Sequence, residues 1–265
     1  MSLIHPTAVI DSKASLDSSV RVGPYAVIGA NVQIDAGTTI GPHAVFEGKT
    51  TIGKNNIFFQ MVSVGAAPQD KKYAGEPTEL VIGDGNTFRE FVTLNRGTTQ
   101  DSGVTTIGSD NWLMAYVHVA HDCVVGDHCI LANTTNLAGH VQLGDWVILG
   151  GYTGVHQFCK IGAHAMSGVG SVVLHDIPPY VMVSGNSAQA HGVNTEGLKR
   201  RGFSADDVAQ VRSAYKTLYK SNLTLAEAKL ALRQSAIEHQ SIPGGSNAIT
   251  VLADFLDGVT RGIVR

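Results

Sequence analysis

Aromatic side chains are scarce in this 265-residue chain, at 6%, and so is net charge, at −3. The first shortage argues for a narrow interior filled by Ile, Val and Leu rather than one built on large rings. The second argues against general nucleic-acid binding, which rests on an excess of Lys and Arg; a local basic patch is still compatible with it. Cysteine is limited to Cys123, Cys129 and Cys159. An odd number with no CxxC pair points to reduced thiols and a cytoplasmic protein. The opening residues, MSLIHPTAVIDSKAS, hold neither a basic leader nor a long apolar run, so neither export nor an integral membrane segment is expected. What the chain has in excess is glycine, 30 residues. That residue is expected where tight corners demand positive φ.

The apolar residues that are present recur every sixth position. Ile4, Ile10, Leu16, Val22, Ile28, Ile34, Ile40, Phe46, Ile52, Phe58 and Val64 keep one phase, and Ile107, Leu113, Val119, Val125, Leu131, Leu137, Leu143, Leu149, Val155 and Ile161 keep another. With 43% hydrophobic residues, chance gives the first run only ~10⁻⁴ of the time in a chosen phase. Neither a helix nor an ordinary strand repeats in six. A parallel β-helix does, with three short strands to a coil, so that residues roughly 18 apart stack at the ~4.8 Å spacing of paired strands. Four residues after most ladder positions comes a small or β-branched residue, such as Ala8, Ala14, Val20, Ala26, Val32 and Thr38. Large and small inward residues then fill a thin triangular prism. Gly23, Gly29, Gly41 and Gly53 follow ladder positions, where the chain is expected to turn.

The ladder fails at Asp70 and Glu76, which must leave the core, so residues 66–80 form one excursion loop and 96–104 a second. Long loops on a regular scaffold are usually functional. The pattern fades near Ser167 and Val173, and HDIPPYVMVSGN, with two prolines, is expected to break it by Asn186. Residues 1–186 are thus one domain and 187–265 a small α-helical one. Helices are expected from Ser204, from Thr224 to about His239, and over Asn247–Gly258, covering the open end of the stack.

His118, His121, His140 and His156 lie off the ladder. A single histidine so placed is ordinarily a solvated surface residue. The stacking changes that reading, because His121 falls one coil below Gly139 and Asp122 one coil below His140. A histidine, an adjacent carboxylate and a glycine N–H one rung away supply a general base, an orienting group and an oxyanion donor.

Five stretches, QDKKYAGEPT (69–78), HVAHDCVVG (118–126), LAGHV (137–141), GVHQFCKIGAH (154–164) and GVNTEGLKRRGFS (192–204), resemble the UDP-N-acetylglucosamine acyltransferases of lipid A biosynthesis. The last is absent from generic hexapeptide transferases. The resemblance implies a mainly β chain, a left-handed parallel β-helix with a small α-helical C-terminal domain. It also implies transfer of an (R)-3-hydroxyacyl chain from acyl carrier protein to the glucosamine 3-hydroxyl of UDP-N-acetylglucosamine, by a homotrimer using no metal or other cofactor. Carried over residue by residue, it makes His121 the base, Asp122 its orienting partner and Gly139 the oxyanion donor. Gln69, Asp70 and Lys72 fall in the loop that holds glucosamine and acyl group. His118, His140, His156 and Gln157 fall in the sugar-nucleotide pocket, and Asn194, Glu196, Arg200 and Arg201 on the uridine diphosphate. Met166 and Val169 match the segment closing the acyl groove, and Val169 implies a medium chain of about 10–12 carbons. Arg212, Lys216 and Lys220, spaced i, i+4, i+8 on one helix face, form a basic stripe for an acidic carrier protein. In two places the chain departs from the family: Asn95 stands where a histidine is common, and Ser187 where one is sometimes found.

Other readings of the same scaffold are an N-acyltransferase of a related substrate, a CoA-dependent acetyltransferase, a purely structural solenoid, and a zinc hydratase ligated by His118, His121 and His140. The absence of a leading uridine-binding domain disfavours the first, the GVNTEGLKRRGFS segment the second, and loops beside clustered histidines the third.

Overall fold

The computed structural model describes residues 3–240 and 247–265. Short parallel strands, most of two residues, wind round a triangular prism. The first face has nine strands, from Val9–Ile10 to Val172–Val173; the second has eight, from Ser15–Leu16 to Lys160–Ile161; the third has ten, from Arg21–Val22 to Gln189–Val193. Coils stack in strict register, with Val9 opposite Val27 and Val27 opposite Val45. From Val22 onward the ladder side chains are buried, as are their small partners Val20, Ala26, Val32 and Ala44. Thr38 and Thr50 are equally buried; their hydroxyls donate to the carbonyls of Gly53 and Glu47 at 3.1 and 2.8 Å, which offsets their desolvation. Ile4 is 40% exposed and Ile10 and Leu16 half-buried, because among the described residues no coil lies beneath the first.

Two expectations about the backbone need correction. Positive φ at the corners falls mainly on non-glycine residues, at the third position after the ladder: Tyr25, His43, Asn55, Tyr116, Asp122, His140, Trp146 and His164 among them. This left-handed conformation costs an L-residue roughly 1–2 kcal/mol. It lets the corner amide donate to the coil before it, as His140 N–H does to the His121 carbonyl at 3.0 Å and Trp146 N–H to that of Asp127 at 2.8 Å. The glycines after the ladder are needed for closeness instead. A Cβ on Gly41 would lie 2.7 Å from the Gln60 nitrogen of the next coil.

The prolines, secondly, do not break the stack. Ile177 bridges to Ile161, and Val181–Ser184 pairs in parallel with Met166–Ser167. Pro179 sits at a corner against Gly162, where no ladder N–H is required of it. Ser167 keeps its ladder place, buried, with its hydroxyl accepting from Gly150 N–H at 3.0 Å and bonded to Thr153 Oγ1 at 2.8 Å. Beyond residue 186, Gln189–Val193 turns back antiparallel on Val181–Ser184 and ends the third face.

Four helices follow among the described residues. α1 (Thr195–Arg200) is capped by Asn194 and was not foreseen, being too short to show a helical period. α2 (Ala205–Tyr219) starts from a capping box of Ser204 and Asp207. α3 (Leu225–Gln240) starts from Thr224 and Glu227, whose side chains and backbones bond reciprocally. α4 is Ala248–Asp257. The chain's end seals the prism: Val264 joins its core, Ile263 bridges to Asp176, and Lys160 Nζ donates to the Gly258 carbonyl at 2.8 Å. Both excursion loops leave between a first-face and a second-face strand, one between Ser63–Ala66 and Glu79–Ile82, the other between Thr93–Asn95 and Val104–Ile107.

The aromatic heart of the prism gives a direct test of its packing. Phe58 lies flat on Phe88 (centroids 4.6 Å apart, 5° between planes) and edge-on to Phe46 at 5.0 Å. Phe58→Ala is expected to lower the unfolding free energy by ~3–5 kcal/mol in a denaturant melt. A loss below ~1 kcal/mol would mean that the coils collapse onto the gap.

Candidate active site

The edge between the first and second faces carries, coil after coil, the two loops and then the corners of Asp122, His140 and Phe158. His121 Nδ1 lies 2.8 Å from Asp122 Oδ2. A carboxylate only accepts, so Nδ1 carries a proton, and in the neutral form of the ring Nε2 presents a lone pair. The Asp122 side chain is fully buried and accepts from the Thr98 N–H at 2.8 Å and the Thr98 hydroxyl at 2.6 Å. Three donors thus fix it. The expected register holds: His140 stacks above Asp122, and the His121 ring lies over Gly139, where a Cβ would come within 2.5 Å of Cε1. Among the described residues the Gly139 N–H has no acceptor.

Two residues of the second loop complete this edge and escaped the sequence reading. Thr98 grips Asp122. Asp101 Oδ2 lies 2.7 Å from His140 Nδ1, while His140 Nε2 is 3.9 Å from Asp122 Oδ2. Their only signal in the sequence was membership of a loop that leaves the ladder. His121, Asp122 and His140 place their ligand atoms within 4.8 Å of one another, close enough to hold a metal ion. His118 is outside that group; its Nδ1 is bonded to Thr93 Oγ1 at 2.7 Å. Burial, and then the neighbouring His121, hold the His118 ring below its ordinary pKa.

A shallow, largely apolar groove of about 380 Å³ runs up the first face beside this edge, lined by His118, Asn136, Gly154, His156, Val172 and Leu174. His156, which lines it, and the next residue, Gln157, are both exposed. Gln69, Asp70 and Lys72 lie in the first loop, with Asp70 Oδ1 accepting from the Lys72 N–H at 2.9 Å. Among the described residues, no hydrogen bond or ion pair of this chain joins them to His121. The loop is tied instead to the start of the second one, through Arg96 Nη2 to the Tyr73 hydroxyl at 3.1 Å, and to the strand before it, through Asn95 Nδ2 to the Ala67 carbonyl at 3.0 Å. Asn95 therefore serves as a buried strut.

The residues expected on the diphosphate gather elsewhere, at the edge between the second and third faces. There Trp146, His164 and Tyr180 form a column. Arg201 donates to His164 Nδ1 at 3.1 Å and lies over the Trp146 ring at 5.0 Å. Burial first, and then the Arg201 charge, push the His164 pKa down to about 4, so the ring is neutral and accepts from the guanidinium. These groups, with Asp145 and Phe203, border a cavity of about 560 Å³. Asn194 is buried and engaged within the fold, accepting from Gly197 N–H at 3.1 Å and donating to the His164 carbonyl at 3.2 Å. Glu196 pairs with Lys199 at 3.0 Å, and Arg200 is exposed. In one chain a whole face separates this edge from His121. Met166 is half-buried on the third face and Val169 is 77% exposed at the edge between the third and first. Arg212, Lys216 and Lys220 are exposed on α2 and its C-cap.

Comparison with known proteins supplies an independent line. A family model described as Udp N-acetylglucosamine O-acyltransferase, domain 2, matches residues 176–264, and one for bacterial transferase hexapeptide repeats matches 105–139. An acyl-[acyl-carrier-protein]–UDP-N-acetylglucosamine O-acyltransferase of Janthinobacterium sp. is 59% identical over the full length of both chains, and one of Herminiimonas arsenicoxydans is 58% identical over the same span. The solved structure of LpxA from Acinetobacter baumannii superposes with a TM-score of 0.94 at 49% identity, covering 99% of this chain and 100% of its own. The UDP-N-acetylglucosamine O-acyltransferase of Moraxella catarrhalis gives 0.93 at 44%, with the same coverage.

Proposed function

This chain belongs to the family of acyl-[acyl-carrier-protein]–UDP-N-acetylglucosamine O-acyltransferases, and we infer that it transfers an acyl chain from acyl carrier protein to UDP-N-acetylglucosamine in lipid A biosynthesis. Its fold is the left-handed parallel β-helix of that family, followed by helices. The acceptor atom is read as the glucosamine 3-hydroxyl and the acyl group as an (R)-3-hydroxyacyl chain, following the sequence resemblance.

The His121–Asp122 pair is the observation that carries the mechanism. With its Nδ1–H held by Asp122, His121 offers Nε2 to the sugar hydroxyl and takes its proton as the oxygen attacks the thioester carbonyl. A C–O bond forms, and the carbonyl oxygen becomes an oxyanion within reach of the Gly139 N–H. On collapse the C–S bond breaks, and the imidazolium returns the proton to the departing thiolate. Base, orienting carboxylate and oxyanion donor together need no covalent acyl-enzyme. His121→Ala is expected to cut turnover by ~10²–10⁴ with an unchanged melting temperature, since the side chain is outside the prism core. Turnover within a few-fold of wild type would exclude this assignment.

We propose a homotrimer, a reading supported by where the apolar surface lies. Tyr25, Met61, Phe91, Tyr116 and Tyr152 are 40–68% exposed along the edge between the third and first faces. The flanking faces expose Val9, Val27 and Val45 on one side and Ile57, Trp112 and Met182 on the other. Exposed rows of this kind mark association surfaces. Three parallel copies with that edge at the axis set the first face of each against the third face of the next. The His121 edge of one copy then meets the Arg201 edge of its neighbour, so the two separated half-sites come together at each seam.

Among the described residues no helix is long and apolar enough to cross a membrane. The three thiols are free and buried, as suits the reducing cytoplasm. There the acyl carrier protein is expected on Arg212, Lys216 and Lys220, cations exposed on an otherwise acidic chain. Reversing Arg212 and Lys216 to Glu should raise the KM for the acyl donor at low salt and leave that for the sugar nucleotide unchanged. An equal rise in both would remove the docking role.

A further inference from the structure

We infer that Asp101 is a positioning residue, which holds His140 in one tautomer and so keeps it from competing with His121 for Asp122. The inference rests on the reading of His121–Asp122 as the reacting pair.

Two histidines and two carboxylates meet on adjacent coils, and they are paired without sharing. His121 Nδ1 is on Asp122 at 2.8 Å and His140 Nδ1 is on Asp101 at 2.7 Å. The second pair bridges a loop and a coil corner, 39 residues apart in sequence. The far nitrogen of His140, Nε2, stands 3.9 Å from Asp122 Oδ2, about one ångström beyond hydrogen-bonding distance. In the neutral form of the His140 ring, which nitrogen carries the proton therefore matters. With the proton on Nδ1, bonded to Asp101, Nε2 is bare and has nothing to donate to Asp122. With the proton on Nε2, a small tilt of the ring would make a charge-assisted bond to Asp122 and loosen its hold on His121. Neither ring neighbour of His140 decides this. Phe158 stacks on one side at 4.3 Å and the His121 ring meets it edge-on at 5.1 Å, and both contacts accept either tautomer. Asp101 is the group that chooses.

Its place in the chain also fits a device that acts with the loop. Thr98, three residues earlier, grips Asp122 through its N–H and hydroxyl. One short loop thereby holds the orienting carboxylate of one coil and the second histidine of the next.

Three measurements on the full-length protein test this. In ¹⁵N spectra of labelled enzyme, His140 should be the Nδ1–H tautomer in wild type and in Asp101→Asn, whose amide oxygen still accepts. It should move toward Nε2–H in Asp101→Ala. Turnover of Asp101→Ala should fall on the order of tenfold, as expected when a reacting group loses its alignment, with an unchanged melting temperature. Asp101→Asn should recover most of that loss. In a His140→Gln background, Asp101→Ala should have no further effect, since Asp101 acts through His140. An unmoved tautomer, a wild-type turnover in Asp101→Ala, or the same loss with His140 already replaced would each overturn the inference. The spectra read His140 without any reaction, so they distinguish a failure here from a failure of His121 as the base.

Discussion

The parallel backbone hydrogen bond from one coil to the next is the interaction on which the rest depends. Strand pairing fixes every residue against its counterpart one coil away, as His118 is fixed against Asn136 and Val124 against Gln142. The corner amides extend the register through residues of positive φ, where His140 N–H reaches the His121 carbonyl. Because the ladder cannot slip without exposing every inward Ile, Val and Leu, the register is held by the whole core and not by the site. The His121–Asp122 pair of one coil and the Gly139 N–H of the next are thus aligned by packing that precedes any substrate.

The same regularity explains why the chemistry sits at edges. Flat faces present short strands, most of two residues, whose outward side chains alternate with buried ones. Corners carry the rings and the carboxylate, in a backbone conformation that turns them outward: Asp122, His140 and Phe158 on one edge, Trp146, His164 and Tyr180 on another. Loops are tolerated at a corner because only there can the ladder be left and rejoined without losing a strand. Both loops of this chain use the edge that bears His121, and Thr98 and Asp101 return from one of them to bind the residues on it.

Much of this was legible in the sequence, for a physical reason. A six-residue period converts position into place, so the prism, the two excursions at Asp70 and beyond Arg96, and the meeting of His121 with Gly139 could be read off directly. Where the period fails, legibility fails with it. Thr98 and Asp101 lie in a loop with no repeat to locate them, and α1 is too brief to show one of its own. Misreadings came from treating composition as conformation. Glycine was expected to supply the positive φ that Asp122 and His140 in fact adopt, and Pro178 and Pro179 were expected to end a stack that continues through Ile177 and Val181. The column of Trp146, His164 and Arg201 was only half visible. Arg201 stood out in its motif, whereas its partners sit at unremarkable corner positions.

We propose that each site is completed across a seam, with His121 from one copy and Arg201 from the next. Mixing tests it most directly. His121→Ala and Arg201→Ala chains, each inactive or nearly so alone, are unfolded together in equal amounts, refolded into mixed trimers and assayed. Random assembly gives about one seam in four an intact His121 edge facing an intact Arg201 edge, so activity should recover to roughly a quarter of that of refolded wild type. Activity no greater than the sum of the two variants refolded separately would contradict the account, placing both residues in the site of a single chain.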